Sequence, residues 1–338
     1  MVHISSIESD HCMLCLQWGR DTSLRMRPGK LFRFEAMWLR DPHCPEVVNE
    51  AWERGLSFSS GFPIQNCLQA CRESLQHWNK VEFGHVGCRI SALRTTLQRL
   101  ELQPDQHSEE IRSVRKELNS WLDTEEVMWK QRSRNMYLVA GDRNTCFFHV
   151  KASNRNHKNL IEGMEDNSGL WQVTPEGIEG IVTGYFSLLF TISNPTEIEK
   201  VVETVQAVVS EPMNFLLGRD FQAIEVQQAL KQMPPTKAPG PDGMPPLFHQ
   251  KFWSLSGDCV TQAVLNFLNH GITPPDFNDT HIVLIPKVKN PHKITEYRPI
   301  SLCNVIYKLA SKTVANRLQT IFLALSVKTK ALSRKVGS

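Results

Sequence analysis

Between Leu93 and Trp121 the apolar residues fall three and four apart: Leu93, Leu97 and Leu100, then Ile111, Val114, Leu118 and Trp121. That spacing lines one face of an α-helix. Gln103-Pro104-Asp105 interrupts it, and proline cannot continue a helix interior. The stretch therefore predicts two helices folded back as an antiparallel hairpin or short coiled coil. Residues 45–57 repeat the pattern, with Pro45 at the start and Val48, Ala51 and Trp52 on one face. Thr174-Pro175-Glu176 is a helix start, a hydroxyl at the cap followed by proline at the first position. Ile178, Ile181, Val182, Tyr185, Phe186 and Leu189 would form that helix's buried stripe. Further helices are expected near 222–233, 258–269 and 304–319, the last with Val305, Leu309, Val314 and Leu318 inward.

Alternating patterns are fewer. Leu31 to Trp38 alternates apolar and polar through Glu35, as a half-buried strand would, and Cys12 to Leu16 is an apolar run. Residues 1–40 thus read as β-rich around a polar loop at Arg20–Gly29. Asn159–Glu165 and Leu170–Val173 flank Asp166-Asn167-Ser168-Gly169, a β-hairpin with its turn. Thr280–Ile285 is a β-branched strand, and Tyr297–Leu302 is extended. Lys237-Ala238-Pro239-Gly240-Pro241-Asp242-Gly243 is too rich in proline and glycine for helix or central strand, so it is a shaped loop. The expected class is α+β, mostly helical.

Composition narrows the function classes. The chain has 338 residues, 41% hydrophobic and 22% charged, which describes a globular protein and argues against a disordered chain. No apolar run is long enough for a bilayer, and the start lacks a basic segment followed by an apolar block, so neither a membrane span nor secretion is expected. Nine cysteines, an odd count at irregular spacing, imply reduced thiols in the cytoplasm or nucleus. Cys12 and Cys15 form a C-x-x-C, but two more zinc ligands at recognisable spacing are missing, so no metal site is expected.

The net charge of +3 hides a local bias. From 130 to 158, Lys130, Arg132, Arg134, Arg143, Lys151, Arg155 and Lys158 face one acid, Asp142. Cations in such excess suit sequence-independent contact with a nucleic-acid backbone, and Phe147, Phe148 and His149 are rings that could stack on bases. The plainer alternative is a solvated helix face with two core aromatics.

Several motifs resemble those of plant LINE-type (non-LTR) retrotransposons. Lys237 to Gly243, Leu284-Ile285-Pro286-Lys287, Tyr297 to Leu302, Tyr307-Lys308 and Ala315-Asn316-Arg317-Leu318 follow the order and spacing of the N-terminal, fingers part of the reverse transcriptase. Trp129 to Arg134 with Gly141 to Thr145 and Phe147-Phe148-His149 resembles the region upstream of the polymerase. Ser9-Asp10-His11 with Phe32 to Glu35 and Trp38 resembles the end of the apurinic-type endonuclease that precedes it. The resemblance implies endonuclease remnant over 1–57, helical connector over 58–173 and fingers over 174–322. It makes Lys287 and Arg298 the cations that reach the nucleotide triphosphate, gives Lys237 a phosphate contact, and leaves Asp10 and His11 as the endonuclease's water-activating pair.

The same resemblance implies what is missing. The family's palm carboxylates bind two Mg²⁺ ions, yet no Tyr-x-Asp-Asp occurs here and no aspartate follows Asp279. The expectation is an RNA-directed DNA polymerase fragment that is inactive and retains no cofactor. The alternative is a non-enzymatic protein binding RNA or DNA without sequence preference, weakly to moderately. Residues 323–338 depart from the family. Their codons can be chosen so that a shifted frame reads SENQSAFTEGRL, which resembles the family's next segment. A frameshifted, disordered tail is therefore expected.

Overall fold

The structure, a computed structural model, describes residues 2–4, 13–15, 31–58, 62–134, 145–191, 196, 198–203 and 208–336. It is mostly helical with a few short antiparallel strands. The chain divides into two compact units, Met1–Leu31 and Phe32–Ser338. In the first, β1 (Val2–Ile4) pairs antiparallel with β2 (Met13–Cys15), Val2 opposite Cys15. Asp10, His11 and Cys12 lie outside the described residues.

The second unit opens with an extended segment and a 3₁₀ turn, Ala36–Arg40. Then come α1 (His43–Leu56), α2 (Pro63–Trp78) with a π-helical turn at Asn79–Phe83, α3 (Val86–Leu100), α4 (Ser108–Ser133) and α5 (Thr145–Lys158). Next are β3 (Met164–Glu165), β4 (Trp171–Gln172), α6 (Pro175–Leu189), α7 (Ile198–Glu203), α8 (Glu211–Gly218) and α9 (Ala223–Lys231). The order ends with α10 (Pro246–Lys251), α11 (Trp253–His270), β5 (Thr280–Pro286), β6 (Tyr297–Cys303) and α12 (Val305–Val336). The helical hairpin expected around Pro104 is the packed pair α3–α4.

The strand expected at 31–38 is not one. Its alternation survives only at the start, with Phe32 and Phe34 buried and Leu31 and Arg33 exposed. No neighbouring strand among the described residues takes its backbone groups. The Phe34 N–H donates to the Gly243 carbonyl at 3.0 Å. The Gln131 side chain completes the pairing: its Nε2 donates to Phe34 O at 3.0 Å and its Oε1 accepts from Ala36 N at 2.7 Å. One amide side chain thus stands in for a strand edge, and the 3₁₀ turn begins where it ends.

The larger core joins distant segments. Phe34 meets Trp38, Phe248 and Phe252 edge-on, with ring centroids 5.4, 5.4 and 6.5 Å apart. Residues 32–57 therefore share one core with α2, α9, α11 and α12. Helix α2, which the apolar pattern alone does not announce, buries Ile64, Cys67, Leu68, Cys71, Leu75 and Trp78 at helical spacing. It lies so close to α1 that a Cβ on Gly55 would fall 2.4 Å from Cys67 Cα. Burial pushes the Cys44, Cys67 and Cys71 thiols up to about 12, so these cysteines act as small apolar residues.

A smaller core holds Met164, Phe186, Ile294 and Tyr297. Its hairpin turn is the one expected. Asp166 accepts from the Ser168 N–H and hydroxyl, the Leu170 N–H and the Gln172 amide, at 2.6 to 3.1 Å. These bonds, the Ser168 hydroxyl's first, bring its carboxyl down to about 2. Thr174 caps α6 by accepting from the Gly177 N–H at 3.2 Å. The expected stripe forms except at its end: Phe186 is buried, Ile178, Ile181, Val182 and Tyr185 pack against this core, and Leu189 is 53% exposed.

In α12, Val305 and Leu309 point inward as expected, but Leu318 is exposed. The inward positions are instead Thr313, Arg317 and Ile321. Arg317 is the reason. It donates Nε and Nη2 to both Glu225 oxygens at 2.7 and 2.8 Å, Nη2 to Asp220 O at 2.7 Å, and Nη1 to Leu217 O and Arg219 O. Its guanidinium also lies 3.6 Å from the Phe221 ring centroid. The arginine of the Ala-Asn-Arg-Leu motif therefore fastens α12 to the segment before α9. Backbone helix continues to Val336; neither glycine nor proline interrupts Val305–Val336. No helix among the described residues is long and apolar enough to cross a membrane.

Candidate nucleic-acid interface

The pairing of Phe34 with Gly243 and Gln131 brings three segments to one place: residue 33, the end of α4 and the loop 237–243. Each carries a cation there. The loop is held by α12. Lys308 Nζ donates to Ala238 O at 2.8 Å, and Asn304 Oδ1 accepts from Asp242 N at 3.1 Å. Gly243 has φ +75, and a Cβ on it would fall 2.5 Å from Phe32 O, so this turn needs glycine.

The cations feel one another. Burial, then Arg155 and Arg33, lower the pKa of Arg134, which caps α4 in the left-handed conformation at φ 53. Burial chiefly, with Lys237 and Arg134 adding to it, lowers that of Lys308, while Cys303 and Asp242 act the other way. Arg33, Arg134, Arg155, Lys237 and Lys308, drawn from five segments, are thus linked through their effects on Arg134 and Lys308. Asp242 lies among them with Oδ1 accepting from the Met244 N–H at 3.0 Å and Oδ2 buried without a partner. Burial raises this carboxyl to about 6, opposed by the Met244 bond and by Lys308 and Arg72.

Helix α5 extends the charge. It packs on α4, where the His149 ring meets Trp129 edge-on at 4.3 Å, and it buries Phe148. Of the three rings expected to stack on bases, Phe148 is therefore a buried ring, and His149 is exposed with its ring against Trp129. Phe147 stays exposed. Phe147, Val150, Lys151, Asn154, Arg155 and Lys158 line an open groove of about 470 Å³.

The other sequence-nominated residues separate. Arg132 is occupied: Nη2 pairs with Glu35 Oε1 at 3.0 Å and the guanidinium sits 5.4 Å from the Trp129 ring centroid. Lys130 is exposed on the last turn of α4. Arg143 lies outside the described residues. Lys287 and Arg298 belong to the β5–β6 hairpin, where Ile285 opposes Arg298 and Pro286 opposes Tyr297. Residues opposed across a ladder share a face, as do residues two apart, so Lys287 and Arg298 share one. Lys287 Nζ donates to Thr295 O at 2.7 Å, while Arg298 is exposed. Among the described residues no three His, Cys, Asp or Glu side chains come close enough to hold a metal ion.

Arg33 and Lys308 join this interface without being nominated for it. No window of sequence contains them together with Arg134; only the backbone pairing at Phe34 and the Lys308–Ala238 bond do so.

No family model matches the chain. Among curated proteins it is similar to one encoded by a transposon. That protein, from Xenopus laevis, is described as "Transposon TX1 uncharacterized 149 kDa protein"; it is 25% identical over 325 residues, covering 93% of this chain and 25% of its own length. The chain spans about a quarter of the curated relative it matches. The similarity supports a retrotransposon-like protein.

Proposed function

We propose that this chain is a nucleic-acid-binding piece of a retrotransposon protein, related to the fingers end of a plant LINE-type reverse transcriptase and without polymerase activity of its own. The observation that carries the binding is the gathering of Arg33, Arg134, Arg155, Lys237 and Lys308 from five segments. Like charges repel, so holding five together costs stability unless a polyanion neutralises them. Phosphates of RNA or DNA supply that neutralisation without regard to sequence. The motif order and the transposon-encoded relative support the retrotransposon origin. Lys287 and Arg298, on one face of β5–β6, would form the triphosphate contact once a palm completes the hand. The endonuclease end is better confined to the unit Met1–Leu31, since residues 32–57 belong to the larger core.

Two measurements test this reading. Filter binding of RNA should show submillimolar affinity at low salt that falls as salt rises; binding that is absent, or indifferent to salt, would refute it. Primer extension with Mg²⁺ or Mn²⁺ should give no product, and any incorporation by the purified chain would overturn the inactive assignment.

A further inference from the structure

The charge group explains attraction to a phosphate backbone and does not distinguish one strand from two. The α5 groove does. Its residues recur at helical spacing, 147, 150, 151, 154 and 158, along about 16 Å of helix. Phe147 stands at one end, 46% exposed, whereas its neighbour Phe148 is buried. Lys151 lies on the next turn with Nζ 5.5 Å from the Phe147 ring centroid. Asn154 and Lys158 continue the line. Among the described residues, no carboxylate pairs with Lys151, Arg155 or Lys158. An exposed ring ahead of a row of cations and an amide matches one kind of ligand: a strand whose bases are free to stack and whose phosphates follow in line. A duplex offers the phosphates but hides the base faces within its own stack.

We infer that the α5 face binds single-stranded nucleic acid, with a base on the Phe147 ring and the following phosphates along Lys151 and Lys158. This rests on the nucleic-acid reading above and adds the strandedness. The run of about 16 Å accommodates about five nucleotides at the stacked rise of about 3.4 Å. Lys151 covers one face of the ring, and the base takes the other.

The test uses the full chain and labelled probes: a 20-nucleotide oligouridylate, an oligothymidylate of the same length and a 20-base-pair RNA duplex, each titrated by fluorescence anisotropy. Single strands are expected to bind more tightly than duplex. Phe147→Ala should weaken single-strand binding about ten-fold and leave duplex binding unchanged, while Phe147→Trp keeps it. Lys151→Gln with Lys158→Gln should weaken all probes. A 5-bromouridine strand irradiated in the complex should crosslink at Phe147. Single-strand affinity unaltered by Phe147→Ala, or equal preference for the duplex, would overturn the inference and leave the backbone reading intact; no binding of any probe would overturn both. A difference between the oligouridylate and the oligothymidylate tells RNA from DNA as the preferred strand, and binding of either supports the assignment.

Discussion

Two buried polar residues set the residue scale. Arg317 satisfies its donors on Glu225 and three backbone carbonyls. Removing one partner of such a buried pair leaves the other charge without compensation. Arg317→Ala should therefore cost about 3–5 kcal/mol in urea unfolding, whereas exposed Leu318→Ala should cost under about 1 kcal/mol. Equal effects would put the clamp elsewhere. His249 is the opposite case. Both its ring nitrogens are buried without partners, and burial lowers its pKa from 6.5 to about 4. The unfolded chain then binds the extra proton between those values. His249 accordingly contributes its full stability above pH 6.5 and loses it as pH falls toward 4, by up to about 3 kcal/mol. Asp242 runs the other way, its contribution present below 3.8 and lost as pH rises through about 6. The variant His249→Leu separates them: its gain over the unsubstituted chain should be larger at pH 5 than at pH 7.5. An equal gain at both would contradict a buried neutral imidazole.

Elements were legible where local rules are strong. The proline break at 104, the Thr174-Pro175 cap and the Asp166 turn each depend on residues close in sequence, and each forms as the sequence predicts. The stretch at 31–38 did not, because its fate depends on Gln131 and Gly243, about a hundred and two hundred residues away. Helix α2 was hidden because two places in its stripe are cysteines, which serve there as small apolar residues. Two glycines test the packing. Gly55→Ala should destabilise by about 1–3 kcal/mol, since its Cβ would strike the α2 backbone. Gly180→Ala on α6 meets nothing within 4 Å and should stabilise by about 0.5–1 kcal/mol. Thermal unfolding of the two variants is expected to move in opposite directions; a shared direction would contradict the close approach of α1 and α2.

At the scale of the molecule, folding regroups the cations that the sequence places side by side. The cation excess at 130–158 was visible, but folding sets Arg132 against Glu35, buries Phe148 and places His149 against Trp129. It also recruits Arg33, Lys237 and Lys308. Which charges act together is a property of the chain crossing at Phe34, not of any local run. The most direct measurement of this assembly is the salt dependence of RNA binding by the full chain and by the double variant Arg33→Gln, Arg155→Gln. Each phosphate that a substituted side chain no longer neutralises should reduce the slope of log K against log salt by about 0.7 for a single strand. The double variant should bind more weakly at low salt, with a slope shallower by about 1.4. An unchanged slope, with the variant still folded, would show that these cations do not meet the nucleic acid.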